Sequence, residues 1–240
     1  YNQETPTGDD SIAYSGYPMF YTPSAYVDAM RAVGFNTVSL ASNHSLDKGE
    51  KGILNTVKYF KTTDILYSGM SDSETDRNNF IIKEKNNITY TMLSYTTITN
   101  GLNVPAGKSY LLNKYDKEQV KKDIEAVRDK VDVLIVAMHW GVEYINMPND
   151  EEKEIAEYLS SLGVDIVIGN HPHILQPITK IGDTIVMYSL GNFISNQYGG
   201  SNGDWNKLIG FMATLDITKT VSKDNEVNMT FDNLGGELIF

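Results

Sequence analysis

The chain contains no cysteine, and none of its apolar runs is as long as a membrane span. The absence of cysteine excludes disulfides, thiolate zinc sites and cysteine nucleophiles. Positive charge is also scarce, because 20 Lys and Arg stand against 31 Asp and Glu, which gives a net charge of -11. Phosphate binding needs a basic face, so this balance argues against a nucleic-acid partner. It also argues against adsorption to anionic lipid headgroups.

The remaining composition is that of an ordinary globular protein. Of the 240 residues, 41% are hydrophobic and 21% are charged, so the chain can bury a core without disulfide or metal staples. We predict a single domain over residues 1–240, in which residues 198–240 form a β-rich tail. Three polar stretches rich in Gly, Ser, Asn and Asp are predicted to be loops: Thr7–Gly16, Ser68–Asn79 and Ser195–Asn206.

Helical and strand patterns alternate along the chain. Helices are predicted over Ser24–Val33, Lys48–Thr62, Lys117–Lys130 and Asp150–Leu162. Strands are predicted over Asn36–Ala41, Ile81–Lys85, Ile88–Ser94, Val133–Met138, Val164–Ile168, Ile178–Ile181, Thr184–Tyr188, Gly210–Ile217 and Val227–Phe231. The repeated order of helix and buried strand predicts an α/β layered fold with a partly parallel sheet. Expected hairpins at Asn86-Asn87 and Gly182-Asp183 indicate that the sheet is mixed, or that there are two sheets.

Every histidine of the chain follows a predicted strand. These histidines are His44, His139, His171 and His173. In open α/β sheets, ligands bind beyond the carboxyl ends of the strands, so we expect all four histidines to line one site. Three further polar or aromatic side chains follow strands in the same way, namely Asn43, Trp140 and Asn192.

A packing role is the alternative for each histidine taken alone. A single histidine after a strand is more often a loop or packing residue than a ligand, and for His44 alone we favour that alternative. For His139 alone, a packing role and a ligand role are equally favoured. His171-Pro172-His173 is stronger, because two rings at i and i+2 of an extended segment can turn toward one point and proline restricts the backbone there. Independent packing roles explain four strand-end histidines poorly.

The residue types indicate a metal site. Neutral imidazole is the commonest metal ligand and suits Zn, Mn, Fe or Ni, while oxygen ligands from asparagine or carboxylate shift the preference toward Mn, Mg or Fe. Since thiolates are absent, we expect an open, catalytic-type site rather than a closed structural zinc site.

Five motifs resemble, in the same order, those of the bacterial CapA family, which serves synthesis or export of the poly-γ-glutamate capsule. They are Asn2–Pro6, Ser39–Asp47, Met138–Tyr144, Gly169–Pro177 and Tyr188–Ile194. The similarity covers the chain from Tyr1 to Gln197. The family itself is similar to the calcineurin-like metallophosphoesterases.

The resemblance implies a four-layer α/β sandwich, in which two mixed β-sheets are flanked by helices. It also implies a location on the extracellular face of the cell membrane, held by an anchor encoded upstream of Tyr1. In the metallophosphoesterases the first metal ligands lie on an N-terminal strand, which would precede Tyr1, so we expect this strand to be missing from the chain. We therefore expect two divalent ions (Mn, Fe or Zn) in the intact protein and weak or partial binding by this chain.

The resemblance further implies roles for single residues. The metal ligands are expected to be Glu4, Asn43, His139, His171 and His173. His44 is similar to the catalytic residue that protonates a leaving oxygen, a role typically contributing ~100- to 10,000-fold, and Asp47 to the acid that orients it. The substrate side is expected to be lined by Trp140, Glu143, Tyr144 and Asn192, for which surface or supporting positions are the alternative.

Two functional classes follow from these observations. The first is an extracellular capsule synthesis or export protein with a metal-dependent hydrolase site, acting on a phosphoester or an anionic polymer. The second is a non-catalytic assembly or transport component that keeps the same fold, since fold alone does not establish activity. A secreted binding domain is a weaker third reading. Both main classes imply other capsule-synthesis membrane proteins as partners. Retention of all four histidines with Asn43 and Asp47 favours a working metal site.

Overall fold

A computed structural model describes residues 1–197 and 205–240 of the chain. Its α-helices are α1 (Ala25–Ala32), α2 (Gly49–Phe60), α3 (Glu74–Arg77), α4 (Lys117–Val127) and α5 (Asp150–Ser161). Its strands are β1 (Thr7–Gly8), β2 (Thr22–Pro23), β3 (Thr37–Ser39), β4 (Leu66–Ser68), β5 (Lys83–Lys85), β6 (Ile88–Thr96), β7 (Val133–His139), β8 (Ile166–Asn170), β9 (Ile178–Ile181), β10 (Thr184–Met187), β11 (Gly210–Val221) and β12 (Val227–Ile239). Short 3-10 helices cover Ser109–Leu111, Arg128–Lys130 and Trp205–Leu208.

A six-stranded mixed sheet of order β5-β6-β7-β8-β10-β9 forms the centre of the fold. Its four inner strands, β6, β7, β8 and β10, run parallel, and β5 and β9 pair antiparallel at the two edges. Asn86, Asn87 and Gly182 have positive φ, the backbone conformation that tight hairpin turns need and that Asn and Gly tolerate best. Both predicted hairpins are therefore confirmed.

One face of the central sheet is covered by α4 and α5. Leu134 and Val136 of β7 point to this face, where they pack with Val120 and Ile124 of α4 and with Leu159 of α5. Side chains along a strand alternate between the two faces, so Val133 and Ile135 of β7 point to the opposite face. A strand buried in this way on both faces is expected to be apolar, and β7 is apolar from Val133 to Met138, up to its last residue His139.

The opposite face carries two strand pairs. The antiparallel β11–β12 hairpin places Leu215, Ile217 and Phe231 against this face, and Leu66 of β4 packs there against Met92. Parallel strands β3 and β4 are covered in turn by α1 and α2. The layers are therefore helices, central sheet, strand pairs and helices. The mixed α/β fold class is confirmed, and the second β layer consists of separate pairs within the described residues.

Several predicted boundaries differ from the structure. The predicted loop Ser68–Asn79 contains α3, a single polar turn capped by the Ser73 hydroxyl, which accepts a hydrogen bond from Asp76 N at 3.1 Å. Such a turn has no apolar periodicity, so the sequence pattern did not show it. The tail strands β11 and β12 are longer than predicted, because their mutual hydrogen bonds continue past the apolar residues. The predicted loop Ser195–Asn206 lies largely outside the described residues.

Within the part of the chain that the structure describes, no helix combines the length and the apolar character needed to cross a bilayer.

Candidate metal centre

The register of two parallel strands sets the centre of the site. His139 is the last residue of β7 and pairs with Asn170, the last residue of β8, so His171 follows immediately beyond the same edge. The rings of His139 and His171 have centroids 4.9 Å apart. The structure therefore brings these two strand-end histidines together, and β7 and β8 fix their separation.

The segment His171-Pro172-His173 turns sharply at this edge. Both histidines have positive φ, 100° at His171 and 58° at His173, so the prediction of an extended segment is wrong. Non-glycine residues in this region cost on the order of 1–3 kcal/mol each, and such strain is concentrated at functional sites. Pro172 O accepts a hydrogen bond from Tyr144 N at 2.8 Å, which attaches the turn to the segment that follows β7. The ring centroids of His171 and His173 lie 6.0 Å apart.

Carboxylates complete two overlapping groups of candidate ligands. Glu4, His139 and His171 offer ligand atoms that all lie within 4.8 Å of one another, and so do Glu143, His171 and His173. Glu4 Oε1 lies 3.5 Å from His173 Nε2 and 4.0 Å from His139 Nε2. His171 belongs to both groups. We call Glu4, His139, Glu143, His171 and His173 the histidine cluster.

The protonation states suit metal binding. Burial lowers the pKa of His139 well below its usual value, and the nearby His171 and His173 lower it further. Burial and His173 lower the pKa of His171 to about 4. Both imidazoles are therefore neutral near pH 7, which is the form that binds metals. Burial also raises the pKa of the Glu4 carboxyl, an effect that the nearby His173 and His44 oppose.

Unused polar atoms support the same interpretation. The buried Nδ1 atoms of His139 and His171 have no hydrogen-bond partner among the described residues. Asn43 Oδ1 lies 3.0 Å from His139 Nε2. With metal–ligand distances of about 2.1 Å, two ligand atoms of one ion also lie about 3 Å apart. The nitrogen and oxygen donors thus fit a divalent ion of the Mn, Fe or Zn type.

His44 and Asp47 form a separate pair beside the cluster. His44 Nδ1 lies 2.8 Å from Asp47 Oδ2, which also accepts a hydrogen bond from Phe20 N at 2.7 Å. Burial by itself would lower the pKa of His44, but the hydrogen bond and charge of Asp47, together with Glu4 and Glu143, outweigh it and raise the pKa. His44 therefore keeps its proton to a higher pH than an ordinary histidine, whereas His139 loses its proton more easily.

The residues predicted to face the substrate have different surroundings. Glu143 joins the histidine cluster, and Tyr144 stacks with His173, with ring centroids 6.1 Å apart. Asn192 Oδ1 lies 2.9 Å from His173 Nδ1, so Asn192 supports a candidate ligand. Their contact with a substrate stays a prediction.

Trp140 corrects the sequence-based expectation. Its side chain is fully buried in the core on the side of α5, where Nε1 donates to Tyr188 O at 3.0 Å. Because His139 and Trp140 are consecutive, their side chains leave the backbone in opposite directions. Trp140 therefore packs in the core between the end of β7 and α5 and does not line the substrate side.

Two residues near the site were not predicted. Asn100 Oδ1 accepts a hydrogen bond from Asn43 Nδ2 at 3.3 Å. Asn100-Gly101 follows β6, so the same strand-end rule could have identified it. Lys207 places its Nζ 3.7 Å from the centroid of the Tyr144 ring. A lone lysine in the tail carries no signal in the sequence that connects it to this site.

The chain is similar in sequence to bacterial capsule-synthesis proteins. The family described as bacterial capsule synthesis protein PGA_cap matches residues 1–197. The capsule biosynthesis protein CapA of Bacillus anthracis is 31% identical over 175 residues, which are 71% of this chain and 43% of that protein. The PGA biosynthesis protein CapA of Bacillus subtilis (strain 168) is 31% identical over 179 residues, or 71% of this chain and 45% of that protein. The chain spans less than half the length of these curated relatives.

A solved structure with a similar fold is the Thermus thermophilus sulfate thiohydrolase SoxB in complex with glycerol. The TM-score is 0.53 at 12% sequence identity, and the match covers 90% of this chain and 34% of that chain. At this identity the likeness shows the fold alone.

Proposed function

This chain belongs to the bacterial capsule synthesis protein family, and from that membership we propose that it serves poly-γ-glutamate capsule synthesis or export as a metal-dependent hydrolase. The observation that carries the hydrolase part is the convergence of His139, His171 and His173 with Glu4 at one edge of the central sheet. Apolar side chains would pack a core better than three buried imidazoles beside a carboxylate. Packing therefore does not explain this arrangement.

The chain's own residues would hold the ions. His139, His171, His173 and Asn43 offer nitrogen and oxygen donors, and Glu4 and Glu143 each offer a carboxylate to a group that includes His171. A divalent ion supplies Lewis-acid chemistry at such a site, by neutralising charge on a phosphoryl or carbonyl oxygen and by making water more acidic. The two groups share His171, which is consistent with two neighbouring ions.

His44 is suited to proton transfer rather than to ligation. Asp47 holds the ring through Nδ1 at 2.8 Å, which leaves Nε2 to carry the proton that a leaving oxygen needs. The raised pKa keeps His44 protonated closer to neutral pH than an ordinary histidine, a suitable state for a general acid. Asp47 is itself fixed by Phe20 N, so the pair has a defined orientation.

The substrate we propose is a phosphoester, or a bond at or near the end of an anionic polymer. Tyr144, stacked on His173, and Asn192, attached to the same ring, are placed to border it. We further propose that the protein works at the extracellular face of the cell membrane together with other capsule-synthesis membrane proteins. Family membership supports this location.

Two substitutions in the full-length protein test the hydrolase proposal. His44→Ala should leave metal content and folding nearly unchanged while hydrolysis of an activated phosphoester, or capsule formation in cells, falls about 100-fold or more. His171→Ala should lower metal content as well, because it removes a ligand that both groups share. Elemental analysis and rate measurements on the same preparations separate the two effects.

One outcome would favour the non-catalytic alternative. If His44→Ala keeps full function while His171→Ala loses only stability, the site is structural. The protein would then be an assembly or transport component of the capsule machinery that uses the same fold.

A further inference from the structure

Lys207 lies one aromatic ring away from the histidine cluster. It belongs to the 3-10 helix Trp205–Leu208, and its Nζ lies 3.7 Å from the centroid of the Tyr144 ring. Tyr144 in turn stacks on His173 at an interplanar angle of 29°. The ammonium group of Lys207 thus lies over a ring that is stacked on a candidate metal ligand. Lys207 is far in sequence from the strand ends that carry the histidines.

Hydrogen bonds that involve Asn192 and Pro172, next to the cluster, support this arrangement. Asn192 uses both ends of its amide: Oδ1 contacts His173 Nδ1 at 2.9 Å, and Nδ2 donates to Lys207 O at 2.9 Å. Tyr144 is held by its own backbone, which has a positive φ of 65° and donates from N to Pro172 O. Both the ring and the lysine are therefore tied to the turn that carries His171 and His173.

The ammonium group of Lys207 has hydrogen-bonding capacity left over. Among the described residues, its Nζ makes no ion pair with a carboxylate, and the side chain is half-buried. A lysine ammonium carries three donors, and a ring face occupies only one direction around it. Across residues 1–197 and 205–240, no other lysine or arginine has a hydrogen bond, ion pair or ring contact with the histidine cluster or with Tyr144.

An anionic substrate would bind more favourably beside such a cation. Glu4 and Glu143 belong to the cluster and Asp47 lies beside it, and the whole chain has a net charge of -11. These charges repel an oxyanion that approaches the site, except where a metal ion or a cation offsets them. Lys207 is a basic side chain that contacts Tyr144, the residue stacked on His173.

We propose that Lys207 is a positioning and specificity residue that binds an oxyanion of the substrate beside the histidine cluster. This oxyanion is either a phosphoryl oxygen or a carboxylate that flanks the bond to be broken. The proposal rests on the proposed function for its substrate, but binding of the oxyanion does not require turnover. A binding measurement therefore separates it from the hydrolase proposal.

The test compares Lys207→Met with Lys207→Arg in the metal-loaded, full-length protein. Lys180→Met is the matched control, because Lys180 is an exposed lysine on β9 paired only with Asp183 among the described residues. Isothermal titration calorimetry measures the affinity for two probes, inorganic phosphate and a γ-linked glutamate dimer. Elemental analysis and thermal unfolding confirm that metal content and folding are unchanged.

Loss of the cation should weaken binding about 10- to 100-fold, as expected when a charge-assisted hydrogen bond is removed. Lys207→Arg should retain most of the affinity, and Lys180→Met all of it. Weaker binding of phosphate alone identifies a phosphoryl oxygen, and weaker binding of the dimer alone identifies a carboxylate. A folded Lys207→Met protein that binds both probes like the wild type overturns the proposal, as does a wild-type protein that binds neither. Should Lys207→Met not fold, Lys207→Gln provides the same comparison.

Discussion

At position 169 of β8 the backbone passes so close to Trp140 Nε1 and Tyr188 O that a β-carbon would overlap both. Trp140 and Tyr188 are themselves joined by a 3.0 Å hydrogen bond and stacked rings. The absence of a side chain at Gly169 therefore allows Trp140, after β7, and Tyr188, after β10, to contact each other beside β8. His171 follows two residues later, directly after the end of β8.

We predict that Gly169→Ala destabilises the protein by about 2–3 kcal/mol, because the added methyl group forces backbone atoms apart in a packed region. For a chain of this size the midpoint of thermal unfolding should fall by about 5–10 °C, measured by circular dichroism. Gly16→Ala is the control, since a β-carbon there meets no atom within 4 Å and should change the midpoint little. An unchanged midpoint in Gly169→Ala would contradict the close approach.

Among the elements, α3, α4 and β6 are joined by one buried carboxylate. Asp123 of α4 accepts hydrogen bonds from Arg77 Nη2 at 2.5 Å, from Tyr95 OH at 2.7 Å and from Gln119 Nε2 at 2.8 Å. Its side chain and that of Arg77 are both largely buried. The short helix α3 has no buried residue of its own, and this ion pair attaches it to α4.

We expect Asp123→Ala to cost about 3–5 kcal/mol, because it leaves the Arg77 guanidinium and the Tyr95 hydroxyl without their buried acceptor. Chemical denaturation monitored by tryptophan fluorescence measures the change. Glu125→Ala is the matched control on the same helix: its exposed pair with Lys121 spans 3.8 Å and should contribute less than about 0.5 kcal/mol. Equal losses in the two variants would show that the network is not coupled to the fold.

For the whole molecule, the histidine cluster is a point where distant parts of the chain meet. Glu4 lies beside β3, where Gln3 N donates to Ser39 O, while His139 and His171 come from the central sheet. An ion bound to all three residues would link the second β layer to the central sheet. Metal binding should therefore stabilise the entire domain and not only a local loop.

We predict that excess Mn²⁺ raises the midpoint of thermal unfolding, since a ligand at 100 times its Kd stabilises the folded state by about 2.7 kcal/mol. Differential scanning calorimetry with and without Mn²⁺ measures the shift. Ca²⁺ should have a smaller effect because it prefers all-oxygen sites. The shift should disappear in His171→Ala; if it persists there unchanged, the ion binds elsewhere on the protein.

The sequence by itself determined the fold class and the neighbourhood of the site. Helix and strand periodicity, together with the Asn86-Asn87 and Gly182-Asp183 turns, predicted the α/β layers and both hairpins of the central sheet. These features depend on local backbone preference and on burial. Residue type and spacing within a short stretch of chain indicate both of these properties. The placement of every histidine after a strand was visible for the same reason, whereas the catalytic and ligand roles stay predictions.

Only the tertiary structure decided which side chains face the site. His139 reaches the cluster while its neighbour Trp140 points into the core, because consecutive residues of a strand take opposite faces and the layers on each side determine what those faces meet. The positive φ of His171 and the approach of Lys207 to Tyr144 likewise depend on packing between remote segments. Contacts between parts of the chain that are distant in sequence are set by strand register and layer packing, and no local pattern of residues records them.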